Sequence, residues 1–237
     1  MKPTRPAIFR GRHFEPEIII TCVRWYLRFS LSLRDVEELM AERCLIVDHT
    51  TVWRWCQKYS PMVWQRLKGK VKCKTATWHM DETYVRVSGR WMYLFRAVDG
   101  HGDTVDFYLS ETRDREAAKA FLQKALSNPD NRPPRLLYMD GNRSYPAAIR
   151  DLQAEGRLSS RCRRRTERYA NNRIESDHRQ VKRRLRAMQG PRTLRTARRL
   201  IQGIEAVQML RKGQILGAVR KHFATVSIAF ALLFGIK

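Results

Sequence analysis

The sequence predicts a mixed α/β chain: a small all-α module first, then a larger domain of helices on a mixed sheet. Three observations carry that expectation. Apolar residues recur at helical spacing up to Tyr59. From Thr77 the period shortens to two, and short strands alternate with glycine-containing turns. After Ala117 helical and strand patterns alternate, as they do when helices cover a sheet with parallel strands.

Ile19, Cys22, Val23 and Tyr26 mark one face of a first helix. Leu33, Val36, Leu39 and Met40 mark a second, which Ser32 is placed to cap. Asp48 is a good N-cap for a third, whose buried face would be Val52, Trp55, Cys56 and Tyr59. Three short helices with a tight link between the last two fit a helix-turn-helix over residues 9–60. Packing then uses the apolar face of the third helix. Thr50, Thr51, Arg54, Gln57 and Lys58 remain on its other face, and these are residue types that meet base edges and phosphates. A helical bundle with a solvated polar face gives the same pattern, so the helices alone do not decide. Ser60-Pro61 is expected to end the third helix, since proline cannot continue it. Residues 61–76, with Arg66, Lys68, Lys70, Lys72 and Lys74, then read as a basic linker.

The second domain, residues 77–212, opens with strands at Thr77–Val87, 91–98 and 104–109. Ser88-Gly89 and Gly100-His101-Gly102 supply the turns, so the three form an antiparallel meander. Ala117, Ala118, Phe121, Leu122 and Ala125 predict a helix that stops near Asn128-Pro129. Residues 135–139 are a short apolar run, consistent with a buried parallel strand. Helices follow at 145–155, 172–186 and Leu194–Arg211. The tail, 213–237, contains 13 uncharged residues, 224–236. A membrane-spanning helix needs about 20, so the tail is expected to pack or to serve oligomerisation.

Charge narrows the partner. Forty-seven Lys and Arg face 23 Asp and Glu, a formal net charge of +24. Between Arg157 and Arg199 stand 16 basic residues against 3 acidic ones. Self-repulsion of that size is relieved by a polyanion, and each neutralised DNA phosphate also releases counterions. An anionic membrane surface is the competing partner. A hydrophobic share of 43% excludes wholesale disorder. The five cysteines include no C-x-x-C pair, which predicts free thiols in a reducing compartment. With no signal-peptide pattern, the expected location is cytoplasmic. No cysteine–histidine spacing suits zinc, and no P-loop is present, so no nucleotide cofactor is expected.

Three carboxylates sit where local rules leave them open to chemistry. Asp81 lies inside the first strand, where aspartate is depleted. An exposed edge or a hydrogen-bonded structural role would also account for it. Strand alternation sends its neighbour Glu82 to the opposite face, which leaves Asp81 as the candidate. Asp140 ends the short apolar run, and ligands bind beyond the carboxyl ends of strands in α/β sheets. Its following Gly141 also suits an ordinary turn. Glu175 stands early in a helix and would close a capping box with Asn172. Yet Lys182, two helical turns on, returns to the same face, with Arg179 between them. That face carries an anion and then cations, suited to a metal at one end and a phosphate at the other. Together the carboxylates suit two Mg²⁺ ions (Mn²⁺ substituting) that clamp the attacking and leaving oxygens of a phosphodiester.

The segment Trp78-His-Met-Asp81-Glu-Thr-Tyr84, followed by Gly89-Arg-Trp91, resembles the catalytic core of bacterial insertion-sequence transposases. So does Tyr169-Ala-Asn-Asn-Arg-Ile-Glu175-Ser-Asp-His178 with Lys182-Arg183. The interval from Asp140 to Glu175 is similar to that of the D-D-E signature. Gly11-Arg-His-Phe14, Asp48-His-Thr-Thr-Val-Trp-Arg-Trp55 and Gly203-Ile-Glu205 resemble insertion-sequence family six, the cointegrate-forming group. The resemblance implies a ribonuclease-H-like (retroviral-integrase-like) core and a helix-turn-helix that binds terminal inverted repeats. It implies Asp81, Asp140 and Glu175 as the metal-binding triad and Lys182 as a DNA-contacting position, with Arg179 and Arg183 beside it. It also implies cleavage to free 3′-hydroxyls, strand transfer into target DNA, a homodimer or higher homo-oligomer that pairs two element ends, and a place beside the bacterial nucleoid. A non-catalytic DNA-binding regulator and a metal-dependent nuclease that cuts without joining are the alternatives.

Overall fold

The computed structural model describes residues 5–71, 75–141, 144–167, 172–188, 191–215 and 223–236. The chain divides into two compact units, Met1–Lys70 with Arg183–Lys237, and Val71–Lys182.

In the first unit the three expected helices are α1 (Pro16–Arg28), α2 (Leu33–Ala41) and α3 (His49–Leu67). Their apolar stripes are buried: Ile19, Cys22, Val23 and Tyr26 on α1, Val36 and Met40 on α2, Val52, Trp55, Cys56 and Tyr59 on α3. Both expected caps form. The Ser32 hydroxyl accepts from the Asp35 backbone N–H while the Asp35 carboxylate accepts from the Ser32 N–H, a reciprocal capping box. Asp48 accepts from the N–H groups of Thr50 and Thr51. Ser32→Ala is expected to cost about 1 kcal/mol, measurable as a lower midpoint in thermal denaturation.

Pro61 does not end α3, which continues through it to Leu67. The proline withholds one N–H from the helix ladder, a cost of about 3 kcal/mol. Val63, Trp64 and Leu67 are all buried beyond it. At roughly 1.5–3 kcal/mol for each buried large apolar side chain, their packing outweighs that cost. The expected linker is therefore helical as far as 67. Lys72 and Lys74 of that stretch lie outside the described residues.

Two later helices complete this unit: α7 (Leu194–Arg211), with a capping box between Thr193 and Thr196, and α8 (Phe223–Leu232). The α7 helix packs most extensively on α3, and also on α1 and α8. Gly203 sits at the closest approach. A Cβ there would lie 2.6 Å from Ser60 Oγ, 2.7 Å from Ser60 Cβ and 2.8 Å from Leu27 Cδ1. Ser60 Cβ is fixed to the α3 backbone and cannot swing aside. Gly203→Ala gains helix propensity, but overpacking costs more, so a net loss of about 1–2 kcal/mol is expected by chemical denaturation.

The second unit holds the sheet. Strands β1 (Thr77–Val87), β2 (Arg90–Asp99) and β3 (Thr104–Ser110) form the expected antiparallel meander. Ser88 and Gly89 close the first hairpin with φ of 49° and 78°, the left-handed pair that matches strand twist. Strand β4 (Leu136–Tyr138) pairs parallel to β1, and β5 (Arg163–Arg165) pairs parallel to β4. The order is β3-β2-β1-β4-β5. Helices α4 (Arg115–Leu126) and α5 (Ser144–Ala154) cover one face, burying Trp78, Met80, Phe95, Phe121, Leu137, Tyr145 and Ile149 in one core. Strand β5 was not legible in the sequence, because three exposed arginines on an edge carry no apolar alternation. Helix α6 (Asn172–Ala187) follows; its residues up to Lys182 belong to this unit, with Ile174, His178 and Val181 buried.

Candidate active site

The site lies at the carboxyl end of the parallel pair β1–β4. In the register of that pair His79 faces Tyr138, and the two rings stack at 4.8 Å. Two positions further along each chain stand Asp81 and Asp140. Parallel pairing thus brings together two carboxylates that are far apart in sequence. An oxygen of Asp81, one of Asp140 and one of Glu82 all lie within 4.8 Å of one another.

Glu82 corrects an expectation. Alternation does place it on the face opposite Asp81, the face of Trp78 and Met80. It nevertheless reaches the same cluster, because Arg113 draws it there. The Arg113 guanidinium pairs with Glu82 through Nε and lies 3.5 Å from Asp140 Oδ2 through Nη2. The Glu82 side chain is 2% exposed. Desolvation pushes its carboxyl above the usual carboxylate range, the Arg113 hydrogen bond opposes this, and the nearby charge of Asp140 adds to it. Tyr145, fully buried below, is raised well above the ordinary phenol value by desolvation and then by Glu82.

The other face of β1 meets α6. His178 Nε2 stands 3.3 Å from Asp81 Oδ2, and His178 Nδ1 stands 3.4 Å from Arg96 Nη1. Arg96 lies directly opposite Asp81 on β2 and is 1% exposed. Its Nη2 donates to Asp177 Oδ2 at 2.5 Å. A chain of contacts therefore runs from Asp81 through His178 and Arg96 to Asp177. Burial holds the His178 imidazole below its ordinary value, against the pull of Asp81. The neutral ring is the form a site with an adjacent buried guanidinium favours.

Glu175 is exposed in the first turn of α6, just before Asp177, and is not within the three-carboxylate cluster. Asn172 is the first helical residue, so the N-cap position falls at 171, outside the described residues. Arg179, Lys182 and Arg183 are exposed along the same helix. On α3, Thr50, Arg54 and Lys58 are exposed and Thr51 is half-buried. Gln57 departs from the expected outer face: it is 9% exposed, its amide among the buried groups without a hydrogen-bond partner. The reason is α7, which packs on α3 and widens its buried arc beyond what three helices would need.

Sequence reasoning set Glu82 aside and gave no role to Arg113, Arg96 or His178. Arg96 had a signal: one cation inside the apolar run Met92–Val98 requires a buried anion. Other buried acids serve the fold. Asp99 accepts from the N–H groups of Thr75, His101 and Asp103, closing the β2–β3 turn, and Asp106 pairs with Lys124. A second group, Glu37, Asp48 and His49, clamps α2 to α3, with His49 Nδ1 3.1 Å from Glu37 Oε2.

Comparison with known proteins adds the following. The family described as a DDE domain, of the IS240 transposase type, matches residues 75–214. The transposase for insertion sequence-like element IS431mec of Staphylococcus aureus is 36% identical over 226 residues, covering 93% of this chain and 98% of that protein. The transposase for insertion sequence element IS257 in transposon Tn4003, also from Staphylococcus aureus, shows the same identity and coverage. Among solved structures, the catalytic core domain of BIV integrase is similar over 67% of this chain and 99% of that one, with 17% identity and a TM-score of 0.46.

Proposed function

This chain belongs to the DDE transposases of insertion-sequence family six, and on that premise we propose that Asp81, Asp140 and Glu175 are its catalytic carboxylates. It is a polynucleotidyl transferase, and the five-stranded mixed sheet of order β3-β2-β1-β4-β5 supports a ribonuclease-H-like catalytic domain. The observation that carries the assignment is the convergence of the Asp81 and Asp140 oxygens just beyond the last parallel rung of the β1–β4 pair. Hard oxygen donors at that spacing fit divalent cations, Mg²⁺ before softer metals. Two Mg²⁺ ions held there would supply charge neutralisation at the attacking and leaving oxygens.

The protein's own part is positioning. Asp81 is braced by His178, and Asp140 by Arg113. Glu175 enters from α6, whose first turns are tied to the sheet through Asp177 and Arg96. Lys182 and Arg179, two turns and one turn beyond Glu175, hold the DNA backbone beside the carboxylates, with Arg183 next to them. In the first step water breaks a phosphodiester and leaves a 3′-hydroxyl. In the second that hydroxyl attacks a target phosphodiester, so one ester replaces another and no nucleotide hydrolysis is needed.

Residues 9–60 bind the terminal inverted repeats, α3 being the reading helix with Thr50, Thr51, Arg54 and Lys58 outward; Gln57 would act there only through packing. Crowded cations support a polyanion partner in this unit. The Arg28 guanidinium is pushed down to about 10 by desolvation and then by Arg211, Arg183 and Arg24, repulsion that phosphates would relieve. Two ends are held by a homodimer or larger assembly. Among the described residues no helix is long and apolar enough to cross a membrane.

The test is a supercoiled donor plasmid carrying the cognate ends, incubated with the protein and Mg²⁺ and a target DNA. Joined products are expected, and EDTA should abolish them. Nicks without joining would reassign the protein as a nuclease, and mobility shifts without cleavage as a regulator.

A further inference from the structure

We propose that the outer end of the β1–β2 hairpin is a stacking platform for an unpaired DNA base beside the carboxylate cluster. On β1, Trp78, Met80, Glu82, Tyr84 and Arg86 share one sheet face, and their partners on β2 run from Asp99 to Trp91. Helices α4 and α5 cover the inner part of that face, over Trp78, Met80, Phe95 and Ala97. The cover stops at Glu82. Beyond it Tyr84 is 50% and Trp91 62% exposed, while Thr83, Val85, Val87, Met92 and Leu94 on the reverse face are buried. The hairpin end is thus built on one side and open, with aromatic rings, on the other.

The rings are organised. Tyr84 lies 5.3 Å from Tyr93 and 6.2 Å from Trp91, the latter nearly edge-on at 80°. Tyr93 packs against the core and forms the seam between covered and open sheet. The platform is continuous with the candidate active site. Tyr84 is the next residue after Glu82 on the same face, about 7 Å along a strand. Arg113, which holds Glu82 and approaches Asp140, is also within electrostatic reach of Tyr84.

Charge selects the occupant. Arg86, the cross-strand partner of Trp91, is exposed on this face at the hairpin end, and Arg113 stands at its inner border. Open aromatics framed by guanidinium groups match the faces of nucleobases and their flanking phosphates. A second copy docked by this same face would set its guanidinium groups against their like. Bases inside a duplex already stack on one another, so the ligand is a stretch unpaired at the scissile bond. This rests on the reading that the neighbouring carboxylates are the cleavage centre.

The experiment uses the full chain and a short single-stranded oligonucleotide containing 2-aminopurine, compared with the same strand in a duplex. Tyr84→Ala and Trp91→Ala should each weaken single-strand binding roughly ten-fold, and Trp91→Phe should retain most of it. On cognate ends the double alanine variant should cleave slowly when the ends are fully paired and recover when the pair at the scissile bond is mismatched. Unchanged single-strand affinity, or an equal cleavage defect on paired and mismatched ends, would overturn the platform. So would a changed sedimentation coefficient with DNA affinity intact, which would give the face to a second copy. Asp140→Asn keeps the single-strand affinity and loses cleavage. Cleavage surviving in that variant would sink the catalytic assignment without touching the platform.

Discussion

Asp140→Asn is expected to reduce strand cleavage and joining by at least roughly a thousand-fold while leaving the fold intact. Asparagine has the shape of aspartate, and position 140 is half-exposed, so packing is little disturbed. What is lost is one negative charge beside Asp81 and Glu82. Hard divalent ions draw much of their affinity from carboxylate oxygen, and an amide carbonyl replaces it poorly. Their stabilisation of developing charge is worth several kcal/mol. Losing about 4 kcal/mol of it would slow the reaction roughly a thousand-fold. Arg113 keeps its Glu82 partner, so the β3–α4 segment is not released. Joined-product yield against time is the measurement, with thermal midpoint and repeat affinity as controls. Glu82→Gln should be milder, since its carboxylate is already paired with Arg113 and buried. If Asp140→Asn joined DNA at the full rate, the assignment of all three carboxylates would have to be abandoned.

The parts of the fold that were legible in the sequence are those in which local pattern and tertiary burial agree. The α1 stripe, the Ser32 and Asp48 caps, the meander and α7 each follow from spacing that packing then uses. Asp81 was legible for the opposite reason, since it stands inside a strand that has no use for it, and Asp140 was marked by its place just past a strand's carboxyl end. What escaped depends on neighbours far along the chain. Pro61 is carried inside α3 because Val63, Trp64 and Leu67 find partners beyond it. Gln57 is covered because α7, which comes only after the whole sheet domain, packs on α3. Glu82 was excluded by alternation, a rule about where a side chain leaves the backbone. Where its carboxylate ends is set by Arg113, in the loop that follows β3. Residues 163–165 form a strand only because β4 offers an open edge, and no arginine triplet announces that.

Arg96→Met is expected to lower stability by about 3 kcal/mol and to impair catalysis beyond what that loss explains. Arg96 is 1% exposed and its partner Asp177 has a side chain 11% exposed, so the pair is shielded from solvent. Removing the guanidinium leaves a carboxylate with little access to water, and a buried charge deprived of its partner costs several kcal/mol. At this chain length the thermal midpoint should fall by roughly 6–12 °C. Replacing both partners, Arg96→Met with Asp177→Leu, should recover much of that, because no uncompensated charge remains. Catalysis should not recover with it. The pair ties the first turns of α6 to the sheet through Asp177, and His178 carries the tie on to Asp81. Glu175 belongs to the same turns, so a loosened helix start blurs its position against Asp81 and Asp140. The double variant should therefore melt near the wild-type temperature, bind the repeats normally, and require more Mg²⁺ for half-maximal cleavage. A double variant with unaltered Mg²⁺ dependence would reduce the network to a structural brace, with no part in placing the carboxylates.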